Sequence, residues 1–151
     1  MKYDLNKRTV VLTGASGGFG REIAKRLILS HGCRVVGIGR NEDKMAALKE
    51  ELKDRKELFS YKLFDVSDRA AWTDFAENLD CEPSVLINCA GILPEFKSFE
   101  KQSEESVFRV TEVNYLSAVT AIRHMMPKLT TIRKPADVID TLDHNMINHL
   151  V

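Results

Sequence analysis

Apolar runs and segments of helical period alternate along the chain. Short runs rich in β-branched and aromatic residues fall at 9-TVVLT-13, 34-RVVGIG-39, 59-FSYKLFDV-66 and 84-SVLINCAG-91. The first, second and fourth are nearly continuous in apolar residues, the pattern of strands buried on both faces of a sheet. Between them, apolar residues recur at helical spacing: Ile23, Leu27 and Ile28, stopped by Gly32; Met45, Leu48 and Leu52 behind an Asn41 cap; Trp72, Phe75, Ala76 and Leu79 behind a Ser67 cap. The order β-α-β-α-β-α-β with right-handed crossovers predicts an open α/β fold, a parallel sheet with helices on both faces. A last long helix is expected over 103–126, with Val107, Val110, Asn114, Ala118, Ala121 and Met125 in one stripe and Pro127 closing it.

Beyond Leu129 the pattern changes. Pro135 followed by Asp137 has the form of a helix start, and Val138, Leu142, Met146 and Leu150 make a stripe, so a helix is expected from about 136 to 150. The chain thus divides into a sheet-forming part, 1–129, and a divergent helical tail, 130–151. With no strand expected after it, 84-SVLINCA-90 is left as an apolar edge. Its cover would be the tail helix, a second copy of the chain or aggregation, and self-association into a homo-oligomer is the expectation.

Composition narrows the function classes. At 151 residues, 44% hydrophobic and 29% charged, the chain suits a soluble globular domain. Lys plus Arg (22) equals Asp plus Glu (22) with no long block of either sign, so no general field draws it to nucleic acid or acidic lipid. Cys33, Cys81 and Cys89 form no CxxC pair and are expected as reduced, buried thiols. No segment approaches the roughly 18 apolar residues of a membrane span, and MKYDLNKRTV has no signal-like apolar stretch, so no membrane association and a cytoplasmic location are expected.

The first strand runs into 13-TGASGGFG-20, with four glycines in eight residues, just before a helix. Glycines at a strand-to-helix turn admit positive φ and let backbone approach a diphosphate, which the helix N-terminus then favours. The Thr13-Gly14-x-x-x-Gly18-x-Gly20 spacing resembles the signature of the short-chain dehydrogenase/reductase family. So do 88-NCAG-91, with Cys89 at a position where that family has asparagine, the acidic turn 65-DVSD-68, and Asn114 within 110-VTEVNYLSAV-119. The resemblance covers about residues 5 to 129. It implies a Rossmann-like sheet of about four strands in the order 3-2-1-4, truncated relative to the family. It also implies that Gly14, Ser16, Gly18, Phe19 and Gly20 hold a cofactor diphosphate, Asp65 and Val66 flank its adenine, and Asn88, Ala90 and Gly91 lie along the nicotinamide-side ribose. Asn114 would support catalysis by holding an ordered water in a proton relay.

At the end of the second strand, 37-GIGRN-41 offers Gly39 and Arg40 where NAD-binding sites place a carboxylate, and a guanidinium suits a 2′-phosphate. NADP(H) is therefore expected over NAD(H). The family's chemistry, hydride transfer between a carbonyl and an alcohol on a small-molecule substrate, relies on a serine and a YxxxK pair downstream of the matched region. Here the one tyrosine with a lysine four residues on is Tyr3, in 3-YDLNK-7, ahead of the first strand. The expectation is a cofactor-binding chain with little turnover of its own; the alternative is a non-enzymatic interaction module on the same fold. Glu95, Phe96 and Phe99 border a substrate mouth or are ordinary loop and packing residues. His144 and His149, five residues apart, do not share a helical face, and no metal site is expected.

Overall fold

The computed structural model of the protein describes residues 5–130 and 137–140. Five parallel strands form a sheet in the order β3-β2-β1-β4-β5. The central strand, β1 (Thr9–Thr13), pairs on one side with β2 (Arg34–Gly39), Val11 opposite Val36, and on the other with β4 (Val85–Asn88), Val11 opposite Leu86. Outside these lie β3 (Phe59–Leu63), which stops three residues short of the expected run, and β5 (Asp137–Asp140).

The pleat sends alternate residues of β1 to opposite faces. Val10 and Leu12 pack with Leu27 and Ile28 of α1 (Gly18–His31) and with Met45 and Leu48 of α2 (Glu42–Glu51). Val11 packs with Trp72 and Phe75 of α3 (Arg69–Glu77) and with Ala121, Met125 and Leu129 of α5 (Ser117–Thr130). Burying each of the larger aliphatic side chains stabilises the fold by about 1.5–3 kcal/mol. The stops and caps are local: Gly32 is left-handed at φ 60°, and Asn41 Oδ1 accepts from Lys44 N at 2.9 Å. The α3 cap is Asp68, which accepts from Ala70 N and Ala71 N, not the expected Ser67. The Ser67 hydroxyl is taken instead by Asp65 Oδ1 at 2.7 Å.

Expectations for the C-terminal part are corrected. Residues 137–140 are a strand, not the start of a helix, so the sheet has five strands rather than four. Val138 and Ile139 are β-branched, and the open ladder of β4 offers them hydrogen bonds that outweigh a helical stripe. Ile139 packs on the α1–α2 side of the core. Leu142, Met146 and Leu150 lie outside the described residues. The run 84–90 is therefore not an edge: β5 covers it, and the edge moves to β5. The expected single helix over 103–126 is instead α4 (Glu104–Thr111), a π-helical turn (Glu112–Leu116) and α5. Pro127 lies inside the last turn of α5, where the fully buried Met125 and Leu129 on either side hold the helix despite the missing N–H.

Arg8 fastens β5. Its guanidinium donates to Asp137 Oδ2 at 2.6 Å, to the Ser84 carbonyl at 2.8 Å and to Ser84 Oγ at 3.0 Å, with the Arg8 and Asp137 side chains only 13% and 16% exposed. Asp137→Asn is expected to cost about 1.5–3 kcal/mol in chemical denaturation. Amide exchange should quicken at 137–140 and not at β2 and β3; unchanged stability and exchange would contradict this role for Arg8.

Candidate cofactor site

At the C-terminal ends of β1, β2 and β4 a cleft of about 630 Å³ opens. Its floor is set by Thr13, the last residue of β1, whose Oγ1 accepts from Cys89 N at 3.0 Å and Ala90 N at 3.1 Å. Gly14 follows at φ +71°, and a Cβ there would lie 2.8 Å from Ala90 Cα and N. Only glycine allows that approach. The turn closes through Gly17 N to Gly14 O at 2.9 Å, and a Cβ on Gly20 would overlap that same Gly14 oxygen, so the first turn of α1 is seated directly on the loop.

The helix starts differ in their partners. Side chains cap α2, α3 and α4 through Asn41, Asp68 and Ser103, whereas Gly17 gives α1 no side-chain cap and its first turn has no acid. The first-turn N–H groups lack intrahelical acceptors, and Gly18, Phe19 and Gly20 line the cleft. A helix start of this kind can favour an anion.

The structure gathers most of the expected site residues. Gly14, Ser16, Gly18, Phe19, Gly20, Arg40, Asp65, Val66, Ala90 and Gly91 all line the cleft. Asn88 does not; it lines a neighbouring cavity of about 150 Å³ with Asn114, Tyr115 and Asp140, and its Nδ2 donates to Asp140 Oδ1 at 2.6 Å. Asn114 stands on the π-helical turn and grips the loop after β4, accepting from Ile92 N at 2.8 Å and donating to Ile92 O at 2.9 Å. Cys89 lines the cleft, and its backbone N–H, held by Thr13, carries the turn. Phe96 and Phe99 are exposed, and neither they nor Glu95 line either cavity.

The sequence reading missed Lys44 and Arg109, which also line the cleft. Lys44 had a signal, since it sits one helical turn beyond Asn41 on a helix that begins beside Arg40. Arg109 had none, because the two partners that bring it to the cleft, Asp65 and Ser67, are more than forty residues away in sequence. Its Nη2 donates to Asp65 Oδ2 at 2.6 Å, and its Nη1 donates to Ser67 Oγ at 2.8 Å and Glu112 Oε2 at 2.7 Å. Arg40 Nη1 reaches the same Asp65 oxygen at 3.3 Å while its side chain remains 64% exposed.

Partial burial pushes the Asp65 carboxyl up, but hydrogen bonds from the Ser67 backbone and hydroxyl, together with the Arg109 guanidinium, overcome that and hold its pKa down at about 2. This lies below the ordinary 3.8, so ionised Asp65 adds stability that is complete above about pH 4 and lost as the pH falls toward 2. The difference in urea midpoint between the wild-type protein and Asp65→Asn should hold level down to about pH 4 and close by about pH 2. A gap that persists at low pH would show that the charge is not what stabilises the turn.

Residues 8–142 match the family model described as short chain dehydrogenase. The chain is 32% identical over 121 residues to the NADP-dependent 3-hydroxy acid dehydrogenase YdfG of Escherichia coli K12, covering 78% of this chain and 47% of that protein. It is 28% identical over 123 residues to the NADPH-dependent pterin aldehyde reductase of Arabidopsis thaliana, covering 80% and 50%. It thus spans about half the length of these curated relatives. Among solved structures, serine dehydrogenase from Escherichia coli superposes with a TM-score of 0.78 at 28% identity, over 87% of this chain and 60% of that one. A short chain dehydrogenase from Escherichia coli CFT073 complexed with NADPH shares the fold, with a TM-score of 0.80 at 23% identity over 92% and 60%. With its sheet order, glycine turn and cleft in place along the matched residues, the chain belongs to the short-chain dehydrogenase family.

Proposed function

We propose that the cleft binds NADP(H), with the diphosphate on the Thr13–Gly20 turn, the adenine between Asp65 and Val66, and the nicotinamide-side ribose along Ala90 and Gly91, with Asn88 beneath. The observation that carries this reading is the glycine cradle under an uncapped helix start. The choice of NADP(H) over NAD(H) rests on Arg40 at the end of β2, reinforced by Lys44 in the same cleft. A carboxylate at position 39, the NAD arrangement, would bring a Cβ within 2.7 Å of Ser16 Oγ. The relatives named as NADP- or NADPH-dependent support the same choice.

When bound, NADP(H) supplies or accepts hydride, and the names of the relatives favour a small-molecule carbonyl or alcohol as its partner. This chain's own residues bind and orient. Asn114, bonded to both backbone groups of Ile92, holds the loop beside Gly91 and is a positioning residue next to the small cavity. Downstream of the first strand, the 151 residues contain no tyrosine followed four residues on by lysine, so a proton donor of the family type is not supplied here. The 151-residue chain on its own is thus a nucleotide-binding module, with turnover requiring groups it does not contain.

Titration with NADPH, followed by the cofactor's fluorescence, should saturate below millimolar concentration. The same preparation should show negligible NADPH oxidation with aldehydes, ketones or 3-oxo acids. Absence of binding at millimolar NADPH would overturn the cofactor assignment, and brisk turnover would overturn the module reading.

Self-association is proposed on a different face from the one expected. Phe108 of α4, Tyr115 and Leu116 of the π-turn and Val119 and Met126 of α5 leave large apolar surfaces exposed. Sedimentation should give a dimer or larger species that Phe108→Glu with Val119→Glu dissociates; a monomeric wild-type protein would refute this.

A further inference from the structure

Asp65 creates a problem for a 2′-phosphate. Its carboxylate lies 3.3 Å from the Arg40 guanidinium, the group on which NADP(H) selection depends, and an anion there competes with a phosphate for the same donors. Arg109 closes more tightly on the same Asp65 oxygen, at 2.6 Å, and donates to Ser67, whose hydroxyl and N–H are both bonded to the other Asp65 oxygen. Glu112, at 2.7 Å from Arg109, balances part of the Arg109 charge.

We propose that Arg109 is a specificity-determining residue for NADP(H). By neutralising Asp65 and fixing it in the 65–68 turn, it leaves the exposed Arg40 guanidinium free to take the 2′-phosphate. The inference rests on the NADP(H) reading above and adds to it a residue on α4, which lines the same cleft. Counting formal charges, Arg40, Asp65, Arg109 and Glu112 together carry none, and without Arg109 the three that remain carry −1. A 2′-phosphate meets that loss directly, whereas NAD(H), with a 2′-hydroxyl, does not. Arg109 therefore acts on the difference between the two cofactors more than on the affinity they share.

The test is calorimetric titration of NADPH and NADH into wild-type protein, Arg109→Met, Arg109→Lys, Asp65→Asn and the double variant Arg109→Met with Asp65→Asn, with circular dichroism to confirm folding. Arg109→Met should lower the NADPH-to-NADH affinity ratio about two- to fivefold, the order expected for a partly exposed ion pair. Arg109→Lys should keep most of the ratio, and Asp65→Asn should raise it or leave it. The double variant should restore what Arg109→Met lost, because the competing anion is then gone. Equal weakening of both cofactors in Arg109→Met, without restoration in the double variant, would overturn the inference and leave Arg109 a structural residue. Wild-type protein that binds neither cofactor would instead overturn the NADP(H) reading, and this inference with it.

Discussion

The ends of β1 and β4 are drawn together by one side chain. Thr13, at the end of β1, offers its hydroxyl oxygen to two successive N–H groups beyond β4, those of Cys89 and Ala90. Those groups lie past the last ladder pair and would otherwise be left without partners as the chains diverge. Once they are tied, the backbone of Gly14 must run against that of Ala90, which only a residue without Cβ can do. The glycine turn, the seating of α1 and the position of the 89–92 loop all follow from that contact. Asn114 completes it from outside by holding Ile92 on both backbone groups.

Charge is distributed unevenly around this frame. The start of α1 is kept bare of side-chain acceptors, while the starts of α2, α3 and α4 are satisfied internally. Donors for an anion are thereby concentrated at one helix. At the β2–β3 side of the cleft, Asp65 is a negative group inside an otherwise electropositive rim formed by Arg40, Lys44 and Arg109. Its oxygens are divided, one for the Ser67 turn and one for the two guanidiniums, so its charge is spent on shaping the wall.

What the sequence disclosed and what it hid divide along the range of the interactions. The strands β1, β2 and β4, the Asn41 cap, the Gly32 stop and the glycine turn each leave a local mark in the sequence, an apolar run or a turn residue, and periodicity and turn chemistry find them even where distant contacts complete the structure. The strand β5 is hidden in the sequence because Val138 fits a helical stripe as well as a strand, and only the ladder of β4, some fifty residues away, decides the matter. Ser67 and Asp68 are both cap residues by type, and the cap falls to Asp68 because the Ser67 hydroxyl donates to Asp65. Arg109 was invisible because its role is created by the docking of α4 against the 65–68 turn. Pro127 marked a helix end by rule, yet burial of Met125 and Leu129 carried the helix through it.

A second cleft, of about 720 Å³, opens at the other end of the sheet and is lined by Lys7, His31, Arg34 and Arg55, so positive charge alone would not tell where a phosphate-bearing ligand goes. Amide chemical shifts followed during NADPH titration of labelled protein separate the two. The account predicts that the amides of residues 14–20, 40, 65–67 and 89–92 move together with one affinity, while those of Lys7, His31 and Arg55 stay in place. Shifts confined to the Lys7–Arg55 cleft, or no saturable shifts at the glycine turn, would contradict it.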